Sequence, residues 1–143
     1  MPVPAKKFKI VHHDSPPRED YHVVHQAMVK FNTESFGQAP DFFYYFLKDD
    51  MDQVKGGVFG QIYKNTIFID SLWVHDSLRG QGHGSVLMEK AEVLARSKGC
   101  KYSTTDTFDF QARPFYEKLG YKVIADMPDF YNGRQRWFLR KTL

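Results

Sequence analysis

The sequence is poor in cysteine. Cys100 is the single one, so no intramolecular disulfide can form and nothing asks for an oxidising compartment. Long apolar runs are missing too, with none approaching the roughly 18 residues of a membrane span. The opening "MPVPAKKFKIVHHDSPP" has lysines but no apolar stretch behind them, which argues against an export leader. A cytoplasmic protein with no membrane partner is expected. Nor is there an excess of charge of one sign. The net charge is +3, carried by residues 71–143, a balance that suits an anionic ligand on that half better than a nucleic-acid stripe. Repeats, low-complexity tracts and linkers are absent, and 143 residues are enough for one domain, 1–143, with its own core.

Aromatics are plentiful instead. They make up 16% of the chain, with 13 Phe and 8 Tyr, enough to line a site as well as fill a core. Residues 6–13, "KKFKIVHH", predict a first strand, after which Asp14 or Ser15 caps a helix over residues 19–36 with Val23, Val24, Ala27, Met28 and Phe31 on one face. "DFFYYFLKDD" and "VKGGVFGQIYK" predict a hairpin in which Gly56, Gly57 and Gly60 mark a bulge or close packing, and residues 65–75 a further strand. Leu87, Ala91, Leu94 and Ala95 then recur at three and four, a helix over 85–98 that Gly99 ends. A strand over 100–108, a short helix in "FQARPFYEKLG" and strands in "YKVIADM" and "RQRWFLRKTL" complete an α/β chain with a mixed sheet.

Between the third strand and the second helix stands "LRGQGHGSVL", with glycine at 80, 82 and 84. Glycine is used where the backbone needs a positive φ or where something must come close to it. Phosphate cradles place glycine between a strand and a helix in three patterns. The nucleotide P-loop would need Lys and Ser or Thr where Ser85 and Val86 stand, and the dinucleotide fingerprint would need glycine at Ser85. The third pattern, Arg or Gln-x-x-Gly-x-Gly or Ala, is met by Arg79, Gly82 and Gly84. In this stretch the chain resembles the GNAT superfamily of N-acetyltransferases. "TFDFQARPFYEKLGY" is similar to a later element of that family through Ala112, Phe115, Tyr116, Glu117, Lys118, Gly120 and Tyr121. Together the two motifs span about residues 71–121.

The resemblance implies a mixed, mostly antiparallel central sheet flanked by helices, acetyl-CoA as co-substrate, no metal, and a lean towards a homodimer. It implies that Leu72, Trp73 and Val74 lie on a splayed strand whose free main-chain groups meet the cofactor, with the Val74 N–H as oxyanion donor. Arg79, Gly80, Gln81, Gly82, His83, Gly84 and Ser85 would cradle the pyrophosphate, Arg79 adding charge unless it is merely a solvated loop residue. Trp73 is a packing or a recognition residue. Where the family often has an asparagine that contacts the pantetheine arm, this chain has Asp109, to which no cofactor role is carried.

Acetyl transfer from a thioester to an amine needs a neutral amine, a stabilised oxyanion and a proton for the departing thiolate. No enzyme nucleophile is required, and Cys100 reads as a buried structural thiol. The resemblance makes Asp70 the base, the other reading being a residue packed at a strand kink. It makes Tyr116 the acid, the other reading being a core aromatic like Phe115 and Tyr121. Glu34, Asp106, His75 and His83 are lesser candidates. Asn32 and Glu34 fall where such folds often meet the acceptor, and Phe42, Phe43, Tyr44, Tyr45, Tyr131 and Asp41 are further candidates for its cleft. The activity expected is acetylation of a primary amine of a small molecule by direct attack. A protein N-terminal or lysine acetyltransferase, or a non-catalytic acyl-CoA sensor, stays open.

Overall fold

The computed structural model describes residues 1–2 and 7–143. They fall into two units, residues 1–37 and 38–143. In the first unit the helix forms as expected, as α1 (Arg18–Phe36). Its cap is not. Pro17 occupies the N-cap with φ −54° and no side-chain bond, so neither Asp14 nor Ser15 caps it. Glu19 and Asp20 in the first turn complement the positive end of the helix dipole, and Gly37, at φ 73°, closes the far end with its N–H on Thr33 O at 2.9 Å. The predicted first strand is corrected. Its first residue, Lys6, lies outside the described residues, and residues 7–13 enter no ladder. Alternation of Lys7, Phe8, Lys9 and Ile10 supplies the period of a strand, but a strand exists only where a neighbour completes its hydrogen bonds.

The second unit runs β1 (Asp41–Lys48), β2 (Val54–Tyr63), β3 (Thr66–Val74), α2 (His83–Ser97), β4 (Tyr102–Phe108), α3 (Arg113–Lys118), β5 (Lys122–Tyr131) and β6 (Arg134–Thr142). The strands form one six-stranded sheet ordered β1-β2-β3-β4-β6-β5. Every neighbouring pair is antiparallel except β3 and β4. A parallel pair needs a long crossover, and α2 provides it. This is the mixed, mostly antiparallel α/β sheet expected.

Sequence pattern explains α2 directly. Its stripe of Leu87, Met88, Ala91 and Ala95 is buried against Val58, Ile62, Ile67, Ile69 and Leu139 of the sheet. Each large member of that cluster contributes about 1.5–3 kcal/mol of burial. Gly99, at φ 79°, stops the helix: its N–H reaches Arg96 O at 3.0 Å and that of Cys100 reaches Ala95 O at 2.9 Å, the two bonds of a Schellman cap. Cys100 is buried with its thiol 3.7 Å from Lys64 O, and burial pushes its pKa up. A polar seam crosses the same core. Tyr121 lies 2.6 Å from Ser103 Oγ and donates to Glu92 at 3.1 Å, while Lys141 Nζ holds the other Glu92 oxygen at 2.8 Å. The buried carboxylate is thus paired and hydrogen-bonded, the condition under which burial of a charge is tolerated.

Candidate active site

The site begins with a missing side chain. Were Gly60 to carry a Cβ, it would lie 1.9 Å from Phe68 O and 3.0 Å from Asp70 N. With no Cβ there, β2 and β3 slip by one residue: Phe59 faces Ser71, Gly60 faces Ile69, and Asp70 is left as the extra residue of a bulge. A bulge bends its strand. On the other side, β3 and β4 pair only from Thr66↔Tyr102 to Ile69↔Thr105, and past that rung they part. Thr105 pins the point of parting with a hydrogen bond from its hydroxyl to Ile69 O at 3.1 Å.

Strand alternation fixes what the fork exposes. The N–H of His75 donates to Lys55 O at 2.8 Å, on the β2 side. Both main-chain groups of Val74 therefore face the opposite way, towards the opening. The Val74 carbonyl accepts from Arg79 Nε at 3.1 Å, and its N–H points into the stretch where β4 no longer pairs.

A single 3₁₀ turn, Asp76–Leu78, leads into the glycine stretch. His75 caps that turn, its Nδ1 accepting from Ser77 N at 3.2 Å, so the ring is engaged in local structure. Arg79 folds back onto Val74 O and pairs with Asp76 at 2.9 Å, and Gln81 Nε2 donates to Ser77 O at 3.1 Å. The glycines serve two different ends. Gly80 and Gly82 have φ of 72° and 86° and nothing within 4 Å of where a Cβ would stand, so the backbone conformation demands them and the space beside them is open. Gly84 is needed for room, because a Cβ there would meet the Phe115 ring at 3.3 Å. This contact packs the start of α2 against α3 and joins the two sequence motifs physically.

Gly82 is the N-cap of α2 and no side chain caps it. Among the described residues the N–H groups from Gly80 to Ser85 find no partner. Open glycines, unsatisfied N–H groups and the positive end of a 15-residue helix fit a pyrophosphate.

The fork opens into a cleft of about 670 Å³ that brings together Asp70, Leu72, Trp73, Val74, Arg79 and Gly80 from one side. Thr105, Asp106, Phe108, Phe110 and Tyr116 line it from the other. Asp70 is held above the usual carboxylate range, chiefly by desolvation and further by the like charge of Asp106. The Asp106 carboxylate is in turn ion-paired with Arg136, whose guanidinium sits over Phe130 at 4.7 Å and Phe138 at 4.9 Å. Tyr116 is only 6% exposed, a member of the core cluster and of the cleft wall at once. Burial raises its phenol pKa, the Thr105 hydroxyl opposes that, and Asp106 adds to it. The phenol is therefore protonated throughout the neutral range.

Other expected residues belong to other elements of the chain. Asn32 and Glu34 belong to α1, in the 1–37 unit, whereas every residue of the cleft belongs to the other. Phe42, Phe43, Tyr44, Tyr45 and Asp41 do not line the cleft, because β1 is the edge strand and β2 and β3 stand between it and the fork. Phe43 is a core residue, and Asp41 pairs with Lys98 at 2.6 Å. Gln81, Gly82, His83, Gly84 and Ser85 form the turn and helix start beside the cleft. Asp109 is turned away from it, accepting from Gln135 N at 3.3 Å and pairing with Arg134 at 3.4 Å. Sequence reasoning missed Thr105, Phe108, Phe110 and Arg136. Among the described residues no cluster of His, Cys, Asp and Glu is arranged to hold a metal, and no helix is long and apolar enough to cross a membrane.

A family model of the acetyltransferase (GNAT) family matches residues 8–121. The chain is 39% identical over 92 residues to a blasticidin-S acetyltransferase of Streptomyces morookaense, covering 64% of this chain and 68% of that protein. It is 27% identical over 119 residues to an acetyltransferase of Agrobacterium fabrum, covering 82% and 87%. Among solved structures, an acetyltransferase from Bacillus cereus superposes with a TM-score of 0.76 at 30% identity, covering 93% of this chain and 98% of that one. Family, fold and the cradle at the start of α2 agree, and the chain belongs to the GNAT family and is an acetyltransferase.

Proposed function

We propose that the cleft transfers the acetyl group of acetyl-CoA to a primary amine of a small molecule by direct attack. The observation that carries this is the meeting of Asp70, Tyr116 and the free Val74 N–H at one fork beside the glycine cradle. Acetyl-CoA supplies the acetyl thioester. Gly80 to Ser85 offer main-chain N–H groups to its pyrophosphate, and Leu72 to Val74 offer a strand edge to the arm. The Val74 N–H stabilises the oxygen of the tetrahedral intermediate.

Asp70 receives the proton that the ammonium gives up, directly or through water. Its raised pKa brings it nearer the roughly 10.4 of an alkylamine and makes it a better base. The amine nitrogen bonds to the thioester carbon, the carbon–sulfur bond breaks, Tyr116 gives its proton to the sulfur as charge develops there, and the proton that the attacking nitrogen then sheds returns through solvent to the Tyr116 phenolate. Cys100 takes no part, since its thiol lies outside the cleft against Lys64 O. The relative named for acetylating blasticidin S supports a small-molecule acceptor. The family match extends across residues 8–121, which supports one acetyltransferase domain over 1–143.

The test is a screen of amines, antibiotics and polyamines included, for thiol release from acetyl-CoA. Turnover with small amines is expected. Turnover only with protein N-termini or lysines would move the acceptor class, and CoA binding without turnover on any amine would make the protein a sensor.

A further inference from the structure

Beside the cleft lies an open surface hollow of about 460 Å³, lined by Phe108, Phe110 and Tyr131 with Asn132 and Arg134 at its rim. Phe108 and Phe110 line both spaces, so the hollow is a side chamber of the cleft. Its walls are oriented. The Phe108 and Phe110 rings lie within 15° of parallel at 5.5 Å, and Phe108 and Tyr131 within 27° at 6.0 Å. The Phe108 ring thus runs nearly parallel to each of its two neighbours, an arrangement that matches a planar ring better than a flexible chain, because a plane gains stacking on top of burial. Nor are the rings spent on the core: Phe110 and Tyr131 are 61% and 65% exposed.

The rim adds polarity of a particular kind. Asn132 sits in the tight turn between β5 and β6 at φ 50°, and its amide, which both donates and accepts, has no partner among the described residues. Arg134 lies over the Phe110 ring at 5.4 Å and pairs with Asp109 at 3.4 Å. These groups suit the edge of a nitrogen heterocycle, which presents donors and acceptors in its own plane. At the other end of the path, Asp70 and Asp106 line the cleft and favour an ammonium.

We infer that the acceptor is a heteroaromatic amine whose planar ring lies against Phe108, Phe110 and Tyr131 with its edge on Asn132, while a short linker carries the amine to Asp70. This rests on the reading of the cleft as the transfer site. Phe110 and Tyr131 set acceptor specificity and take no part in the chemistry.

The experiment compares an aminoethyl-pyrimidine with its cyclohexyl counterpart, which has the same tether and amine but no planar face. Wild-type protein and the Phe110→Ala and Tyr131→Ala variants are assayed for kcat/KM by thiol release and for acetyl-CoA KM. The wild type prefers the pyrimidine. Each variant lowers kcat/KM for the pyrimidine by about tenfold and for the cyclohexyl amine by clearly less, so the preference narrows, and Tyr131→Ala leaves the acetyl-CoA KM unchanged. Turnover of both amines without preference, or an equal loss on both in the variants, overturns the subsite and leaves the transfer site standing. Transfer to no amine by a folded protein that binds CoA overturns the transfer site, and the acceptor role of the chamber with it.

Discussion

Replacing Tyr116 with phenylalanine separates packing from proton transfer, because the ring packs in the core while the proposed acid role rests on the hydroxyl alone. The ring is 6% exposed and packs edge-on to Phe115 at 5.2 Å and Tyr121 at 5.8 Å, contacts that phenylalanine keeps. The hydroxyl neighbours Thr105, whose own hydrogen goes to Ile69 O at 3.1 Å, so deleting the phenol orphans no donor. The stability change is therefore held to about 1 kcal/mol, which for a chain of this size moves Tm by about 2–4 °C. Loss of a positioned general acid lowers the rate roughly 10²- to 10⁴-fold, equivalent to about 2.7–5.5 kcal/mol of barrier. The two effects differ enough to be read apart.

The assay is kcat by thiol release beside CoA affinity and a thermal melt. Because the phenol must carry its proton to act and its pKa is raised above 10.0, the wild-type rate falls only at still more alkaline pH, and the variant lacks that limb. Near-normal turnover in a folded Tyr116→Phe protein would refute the acid role. Loss of CoA affinity with kcat retained would make Tyr116 a binding contact.

Asp70→Asn keeps the shape of the bulge and removes the base, so kcat should fall by about 10²-fold or more at neutral pH with CoA affinity intact; full activity across the pH range would place the base elsewhere. In the wild type, activity rises with pH as Asp70 ionises, at a pH above the ordinary 3.8. Asp106→Asn removes the like charge and leaves Arg136 unpaired nearby, so that limb moves to lower pH; a limb that stays put shows Asp106 exerts no field on the base. Gly60→Ala sets a methyl against Phe68 O and should lower stability by about 3 kcal/mol, seen in the melt, and an unchanged Tm would mean the bulge does not depend on the glycine. Glu92→Gln leaves the Lys141 ammonium without its counter-charge and should cost about 3 kcal/mol with kcat per folded molecule preserved; a neutral melt would show that the seam is dispensable.

What could be read from the sequence was what is contiguous in it. The cradle from Arg79 to Ser85, the end of α2 at Gly99 and the position of Tyr116 on a short helix each depend on residues within a few positions of one another. Thr105 and Arg136 enter the site, and Asp106 finds its partner, through pairings of β3 with β4 and of β4 with β6, which join residues about 30 or more apart in sequence and leave no local trace. Density of aromatics misled for a similar reason. Residues 42–45 look like a cleft lining, yet strand order sends β1 to the edge and the chamber is built from Phe108, Phe110 and Tyr131. Residues 7–10 carry the alternation of a strand, yet residues 7–13 enter no ladder. Asp109 was legible only as a departure, and the structure shows it occupied in bonding the start of β6.

The short parallel seam between β3 and β4 has a mechanical side. Only the rungs from Thr66↔Tyr102 to Ile69↔Thr105 stitch the β1-β2-β3 meander to the β4-β6-β5 half of the sheet, so the two halves meet like covers on a partly sewn spine. A long, thin molecule laid along the open edge of β3 becomes a guest strand that extends the stitching. Its binding free energy is then linked to the cohesion of the halves as well as to local contacts, and at a concentration 100 times its Kd it adds about 2.7 kcal/mol to the folded state. Amide exchange at Ile69 and Thr105 reports that tightening directly, because those residues form the last stitch.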